Sequence, residues 1–162
     1  LDAGHFHPTE NVADKISSLV LFSDSLAFHV SRPVRWDSDH VLKLNDDLQE
    51  VADELVKCDM LEKAYIGLDY FDGSINRVAA LVIGARNMEK ALLRALLTPW
   101  HLLTMAQDNY DHTRVLALQE EVKVLPWNEV WEAYCQEVGC LDEHTWFEEV
   151  LKYEKEVLER RG

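Results

Sequence analysis

Two hydrophobic periodicities alternate along the first half of the chain, and each change of period predicts a change of element. Leu26-Ala27-Phe28-His29-Val30 is a short apolar run, which predicts a buried strand, and Pro33 predicts that regular pairing stops soon after it. Before that run, Val12, Ile16, Leu19 and Val20 keep helical spacing within 12–21, with Asn11 or Thr9 placed to cap the helix. After it, Leu48, Val51, Ala52, Leu55 and Val56 form one stripe of a helix over 44–56, and the acids on the other side read most simply as a solvated face. A second apolar run gives a strand over 65–68 that ends in Asp69 and Asp72. A long helix begins after Gly73-Ser74. Ile75, Val78, Ala79, Leu81, Val82 and Ile83 cover nearly its whole circumference, so it is expected to be substantially buried. The opening residues read as the end of another strand, running into Asp2 and His5 before the loop Pro8-Thr9-Glu10-Asn11. Strand and helix thus alternate three times, the pattern of parallel βαβ units in an α/β fold, whose right-handed crossovers put the strand C-termini on one edge.

From Met88 onward the pattern is helical only. Segments 91–97, 113–125, 128–135 and 145–158 are predicted helices, with Pro99, Pro126 and Gly139 as breaks and no strand among them. Trp100, Trp127, Trp131 and Trp146 fall at helix ends or on helix faces and read as packing anchors. The chain therefore divides into residues 1–97, with the strand and helix units, and 98–162, a helical extension. Neither an internal repeat nor a low-complexity linker interrupts it.

Composition narrows the partners. With 162 residues, 48% hydrophobic and 28% charged, the chain has an ordinary globular balance and enough length for one modest core. A formal net charge of −14 argues against binding a phosphate backbone, so no nucleic-acid partner is expected. No apolar segment approaches the ~20 residues that span a bilayer, and no basic region followed by an apolar one opens the chain; neither membrane nor secretion is expected. Cys58, Cys135 and Cys140 are odd in number and lack Cys-x-x-Cys spacing, which fits neither a disulfide framework nor a zinc knuckle and makes a reducing cytoplasm the default. A start on Leu-Asp without Met suggests a chain cut from something longer.

Candidate chemistry lies at the strand ends. Asp2 and His5 are three residues apart at the first, His29 closes the second, and Asp69 closes the third. Asp37 and Asp39 are two apart, so in extended backbone both side chains emerge on one face, either sharing a cation or forming a solvated acidic turn. Recurrence decides between these readings better than any one motif: ligands of parallel α/β folds bind beyond the carboxyl ends of strands, where all six of these residues fall. His7 and His40 can serve loop hydrogen bonding or substrate contact. Arg32 and Arg35 can orient carboxylates or offset the acidic rim, and Asp72 reads as a helix cap or an outer acid.

Three long motifs, Leu1-Asp2-Ala3-Gly4-His5-Phe6-His7-Pro8-Thr9-Glu10, the run from His29 to His40, and Ile66 through Arg77, closely resemble the L-rhamnose isomerases. The likeness continues through Gly84-Ala85-Arg86-Asn87-Met88, Pro126-Trp127 and Tyr153 to Leu158, covering essentially the whole chain. The resemblance implies the C-terminal part of a (β/α)8 TIM barrel, about three βα units, followed by an appended helical region. It implies a tetrameric enzyme that interconverts L-rhamnose and L-rhamnulose with two divalent cations, usually Mn²⁺. Carried over residue by residue, Asp2 is the carboxylate that bridges the metals. His29 and Asp69 would join it at a structural site, while His5, Asp37 and Asp39 would join it around the catalytic metal. Mixed carboxylate and imidazole donors suit Mn²⁺ better than a thiolate-seeking ion, with Zn, Co or Mg as other candidates. The family also takes a glutamate, a lysine, a histidine and a tryptophan from upstream segments that this chain does not contain, so partners are expected to be the sugar and either further copies or the missing part of the barrel. Two rivals remain: a non-catalytic half-barrel serving oligomerisation with a vestigial metal site, and a sugar-phosphate aldolase or epimerase, for which Gly73-Ser74 is a poor phosphate loop.

Overall fold

The computed structural model describes residues 1–35 and 38–161. They form two compact units, Leu1–Thr98 and Pro99–Gly162.

In the first unit β1 (Leu26–Val30) pairs with β2 (Ala64–Leu68) in a two-stranded parallel sheet, with Phe28 opposite Ile66 and His29 opposite Gly67. The expected first strand is reduced to one bridge. The Leu1 ammonium donates to the Ala27 carbonyl at 2.8 Å, the His29 N–H donates to Leu1 O at 2.9 Å, and Asp2 pairs in parallel with His29. Pairing stops there because Asp2 caps a 3-10 turn over Ala3–His5, its carboxylate accepting from the Gly4 N–H at 3.0 Å. Helices follow each extended segment: α1 (Ala13–Leu19), α2 (Asp46–Lys57) and α3 (Arg77–Leu97). Asn45 caps α2 by accepting from the Leu48 N–H, and Asn76 caps α3 by accepting from that of Ala79. The mixed helical architecture with a small parallel sheet is therefore a partial α/β arrangement.

The core sits between the sheet and these helices. Leu26, Phe28 and Val30 point inward against Ile16, Leu48, Val51, Ala52, Leu55, Met88, Ala91 and Ala95. Strand alternation follows, because Ala27 and His29 then face the other way and are exposed. β1 is accordingly covered on one face, not buried on both as its composition suggested. Side chains tie α3 to the rest: Gln49 donates to Ala91 O at 3.1 Å and Asn87 to Leu42 O at 2.9 Å. α3 runs unbroken through Met88, where the pattern suggested a change. It is also less buried than its apolar circumference predicted, with Leu81, Leu96 and Leu97 exposed. Beyond β2, Tyr70 lies across Gly84 and donates to the Ala80 carbonyl at 3.0 Å, a fit that leaves no room for a Cβ, which would stand 1.8 Å from the tyrosine oxygen.

One carboxyl of α2 makes this unit pH-sensitive. Burial pushes Asp53 above the usual carboxylate range, against the hydrogen bond from Gln49 and the charges of Lys57 and Arg94. The folded chain thus holds this proton more tightly than the unfolded one. Its stabilising contribution is full below the unfolded value and is lost as pH rises through the raised folded value. Asp53→Asn, which keeps an acceptor for Gln49, is expected to raise the melting midpoint by a few degrees at pH 7 and to change it little at pH 3, as a pH series of melts would show.

The second unit is helical: α4 (Trp100–Asp108), α5 (His112–Lys123), α6 (Trp127–Val138) and α7 (Trp146–Tyr153), the last continuing into a wider turn over Glu154–Leu158. α4 packs against α5 and was not anticipated, although Pro99 before it and Leu103 with Ala106 on its buried face carry the signal. Gly139 ends α6 in the left-handed region at φ 73°, where other residues would be strained. Trp131 is buried and donates to Glu143 at 3.1 Å, while Trp127 donates to Val122 O at 2.7 Å, so both anchor packing. Among the described residues no cysteine forms a disulfide; Cys58 is half-buried, Cys135 buried and Cys140 exposed. Among the described residues, no helix is long and apolar enough to cross a membrane.

Candidate metal centre

Parallel pairing brings the three strand ends to one edge. The bridge at Asp2 sets it beside His29, and the Asp69 N–H donates to Val30 O at 3.2 Å, setting Asp69 on the other side. His29 Nδ1 then stands 3.5 Å from Asp2 Oδ2 and 3.2 Å from Asp69 Oδ2. One ligand atom from each of Asp2, His29 and Asp69 lies within 4.8 Å of the others, a spacing that fits a single cation. His5 Nε2 approaches the same Asp2 oxygen at 3.7 Å from the end of the 3-10 turn. Asp2 is the hub: its Oδ1 fixes the turn, and its Oδ2 faces both imidazoles.

Asp39 reaches this neighbourhood by a different route. After Ser31 the chain turns and returns, Arg32 and His40 pairing as an antiparallel bridge, so Asp39 comes back beside Ser31. The Ser31 hydroxyl donates to Asp39 Oδ1 at 2.6 Å. That same oxygen packs over the bare Cα of Gly4, where a Cβ would meet it at 2.0 Å. Asp39 is thereby set against the turn that carries Asp2 and His5. Asp37 lies outside the described residues.

The outer candidates have local duties. His7 Nδ1 shares a 2.7 Å hydrogen bond with the Thr9 hydroxyl within its own loop. Arg32 donates through Nε to Val41 O at 3.2 Å, bracing the returning loop, and the Ser38 hydroxyl accepts from the Arg35 N–H at 3.0 Å and donates to the Arg35 carbonyl at 2.7 Å. Asp72 accepts from the Ser74 hydroxyl at 2.5 Å and from its N–H at 2.9 Å. Those two bonds, with smaller help from the charges of His40 and Arg32, hold its carboxyl below the usual range. It caps the turn before α3, whose own cap is Asn76.

The donors are carboxylate oxygens and imidazole nitrogens with no thiol among them, a set that fits a hard or borderline divalent cation such as Mn²⁺. The Asp2 and Asp69 carboxylates converge on one imidazole, and a cation between them would relieve their mutual repulsion. Sequence reasoning passed over Ser31 and Gly4. Ser31 follows β1 and is buried where His29, two residues before it, is exposed, so strand alternation gave no signal for it.

Known proteins resemble this chain over its whole length. The sequence-family model described as L-rhamnose isomerase (RhaA) matches residues 1–161. A protein of Enterobacter sp. (strain 638) named L-rhamnose isomerase is 56% identical over 162 residues, 100% of this chain and 39% of that protein. Proteins of the same name from Escherichia coli (strain K12) and Escherichia coli O127:H6 are each 57% identical over the same shares. The chain thus spans about two fifths of the length of these curated relatives.

Proposed function

Because the chain belongs to the L-rhamnose isomerase family, we propose that it forms the C-terminal portion of an enzyme interconverting L-rhamnose and L-rhamnulose at a two-cation site, Mn²⁺ foremost. The observation that carries this reading is the convergence of Asp2, His29 and Asp69 at the ends of adjacent parallel segments. Residues 1–97 supply the last three βα units of a TIM barrel and 98–162 its helical extension; a complete barrel takes about 250 residues. The remaining strands, in the rest of the protein, cover the open sheet edge and the exposed Tyr65. They also supply the further metal ligand and the upstream sugar contacts. The complete enzyme is a cytoplasmic tetramer.

Asp2, His29 and Asp69 hold the structural cation, and Asp2, His5, Asp37 and Asp39 hold the catalytic one. A bound cation supplies Lewis-acid polarisation of the sugar's carbonyl and hydroxyl oxygens. The reaction has no net redox change: one hydrogen moves from C2 to C1, and one proton from O2 to O1. The protein's part is to fix the sugar's O1 and O2 against this edge. His5, Asp37 and Asp39 are the residues we assign to that proton transfer.

Metal removal tests the reading. Chelator treatment of the complete enzyme is expected to bring ketose formation from L-rhamnose to background, and Mn²⁺ to restore it at two ions per chain. Unchanged turnover in metal-free protein overturns it. Asp46→Asn, on the exposed start of α2, serves as a silent control.

A further inference from the structure

We infer that Ser31 and Gly4 are positioning residues for Asp39, together presetting its carboxylate as a one-oxygen metal ligand; the inference rests on the reading of Asp39 as a ligand given above.

Ser31 is a polar residue only 6% exposed, at the first position after β1, and its hydroxyl donates to Asp39 Oδ1 at 2.6 Å. A buried hydroxyl needs a partner, and this one is a carboxylate oxygen rather than backbone, which makes the bond charge-assisted. With Oδ1 engaged by Ser31, Oδ2 is the oxygen left for a cation. Gly4 fixes the same group sterically: a Cβ there would stand 2.0 Å from Asp39 Oδ1 and 2.8 Å from its Cγ. Gly4 lies in a 3-10 turn whose backbone alanine adopts freely, so glycine serves the close approach rather than the conformation. Its N–H also holds Asp2 Oδ1 at 3.0 Å. One residue thus sets the separation between two carboxylates on different segments. Groups that orient metal ligands typically change metal affinity or activity by about 10–100-fold when removed.

The experiment uses the complete enzyme, stripped of metal and titrated with Mn²⁺ by electron paramagnetic resonance and calorimetry, alongside melts of the metal-free protein. Ser31→Ala is expected to weaken one Mn²⁺ site about 10–100-fold, to alter the bound-Mn²⁺ spectrum, and to leave the other site and the metal-free melt nearly unchanged. Ser31→Thr, which keeps the hydroxyl, is expected to bind within a few-fold of wild type. Gly4→Ala should weaken the same site, because the displaced group is the flexible end of Asp39; it also decides the matter should Ser31→Ala fail to fold. Asp39→Asn is the reference. If Asp39→Asn loses the site while Ser31→Ala and Gly4→Ala bind both ions as wild type does, the positioning role is overturned and the metal reading stands. If Asp39→Asn binds as wild type, the ligand assignment falls and this inference falls with it.

Discussion

Asp2→Asn in the complete enzyme is expected to lower kcat/KM for L-rhamnose by about 10³-fold or more, with loss of bound metal and little change in fold. The substitution is nearly isosteric. Asparagine keeps an oxygen to accept the Gly4 N–H, so the cap of the 3-10 turn survives. What changes is the other atom, which now turns an amide N–H toward His29 and His5 in place of a carboxylate oxygen 3.5 and 3.7 Å away. In the two-cation site proposed above, a ligand shared by both cations would be lost to both, and with it a negative charge. Charge stabilisation by a metal is worth several kcal/mol and each 1.36 kcal/mol is tenfold, which sets the expected scale. Ketose formation and metal content measured on the same preparation check it. Wild-type turnover with full metal would show that Asp2 is not the hub.

Phe28→Ala should have the largest effect on stability, about 3–5 kcal/mol. Phe28 is fully buried at the centre of β1, one of the largest side chains with no exposure, and it belongs to the same cluster as Ile16, Leu48, Val51 and Leu55. It also borders a solvent-open cleft of about 60 Å³ that Val30, Leu48 and Val51 line together with Glu10, Lys43 and Asp47, so the space left by the ring would open onto that cleft rather than close. Denaturant midpoints of wild type and variant measure the cost. A loss under about 1 kcal/mol would mean that the sheet is not the floor of this core. His29 is the next residue, so weaker Mn²⁺ binding should accompany the lost stability.

Local signals carried the strand and helix alternation well. β1 was legible from one apolar run and α2 from one stripe, because period and capping residues are written into neighbouring positions. What failed depended on remote residues. The exposed face of α3 and the one-sided cover of β1 reflect which segments are present to cover them, and no stretch of the chain encodes that locally. α4 was missed because Pro99 was read as a break rather than as the start of a helix. At the site, residue types and strand-end positions pointed to Asp2, His29 and Asp69, but the division into two metal sites came from resemblance alone. Ser31 and Gly4 were illegible since their significance arises only when the returning loop lays Asp39 over the turn.

The parallel arrangement of Asp2, His29 and Asp69 has a kinetic corollary. Their segments are separated by whole helices, and parallel pairing cannot start from a tight hairpin, so the contacts that unite them carry a high loop-closure cost. A cation that binds the assembled cluster but not the separated ligands draws assembly forward by mass action, by RT ln(1 + [M]/Kd). If the cluster holds the cation proposed above, scarcity of that metal would appear as low yield of folded protein as well as low activity per folded molecule.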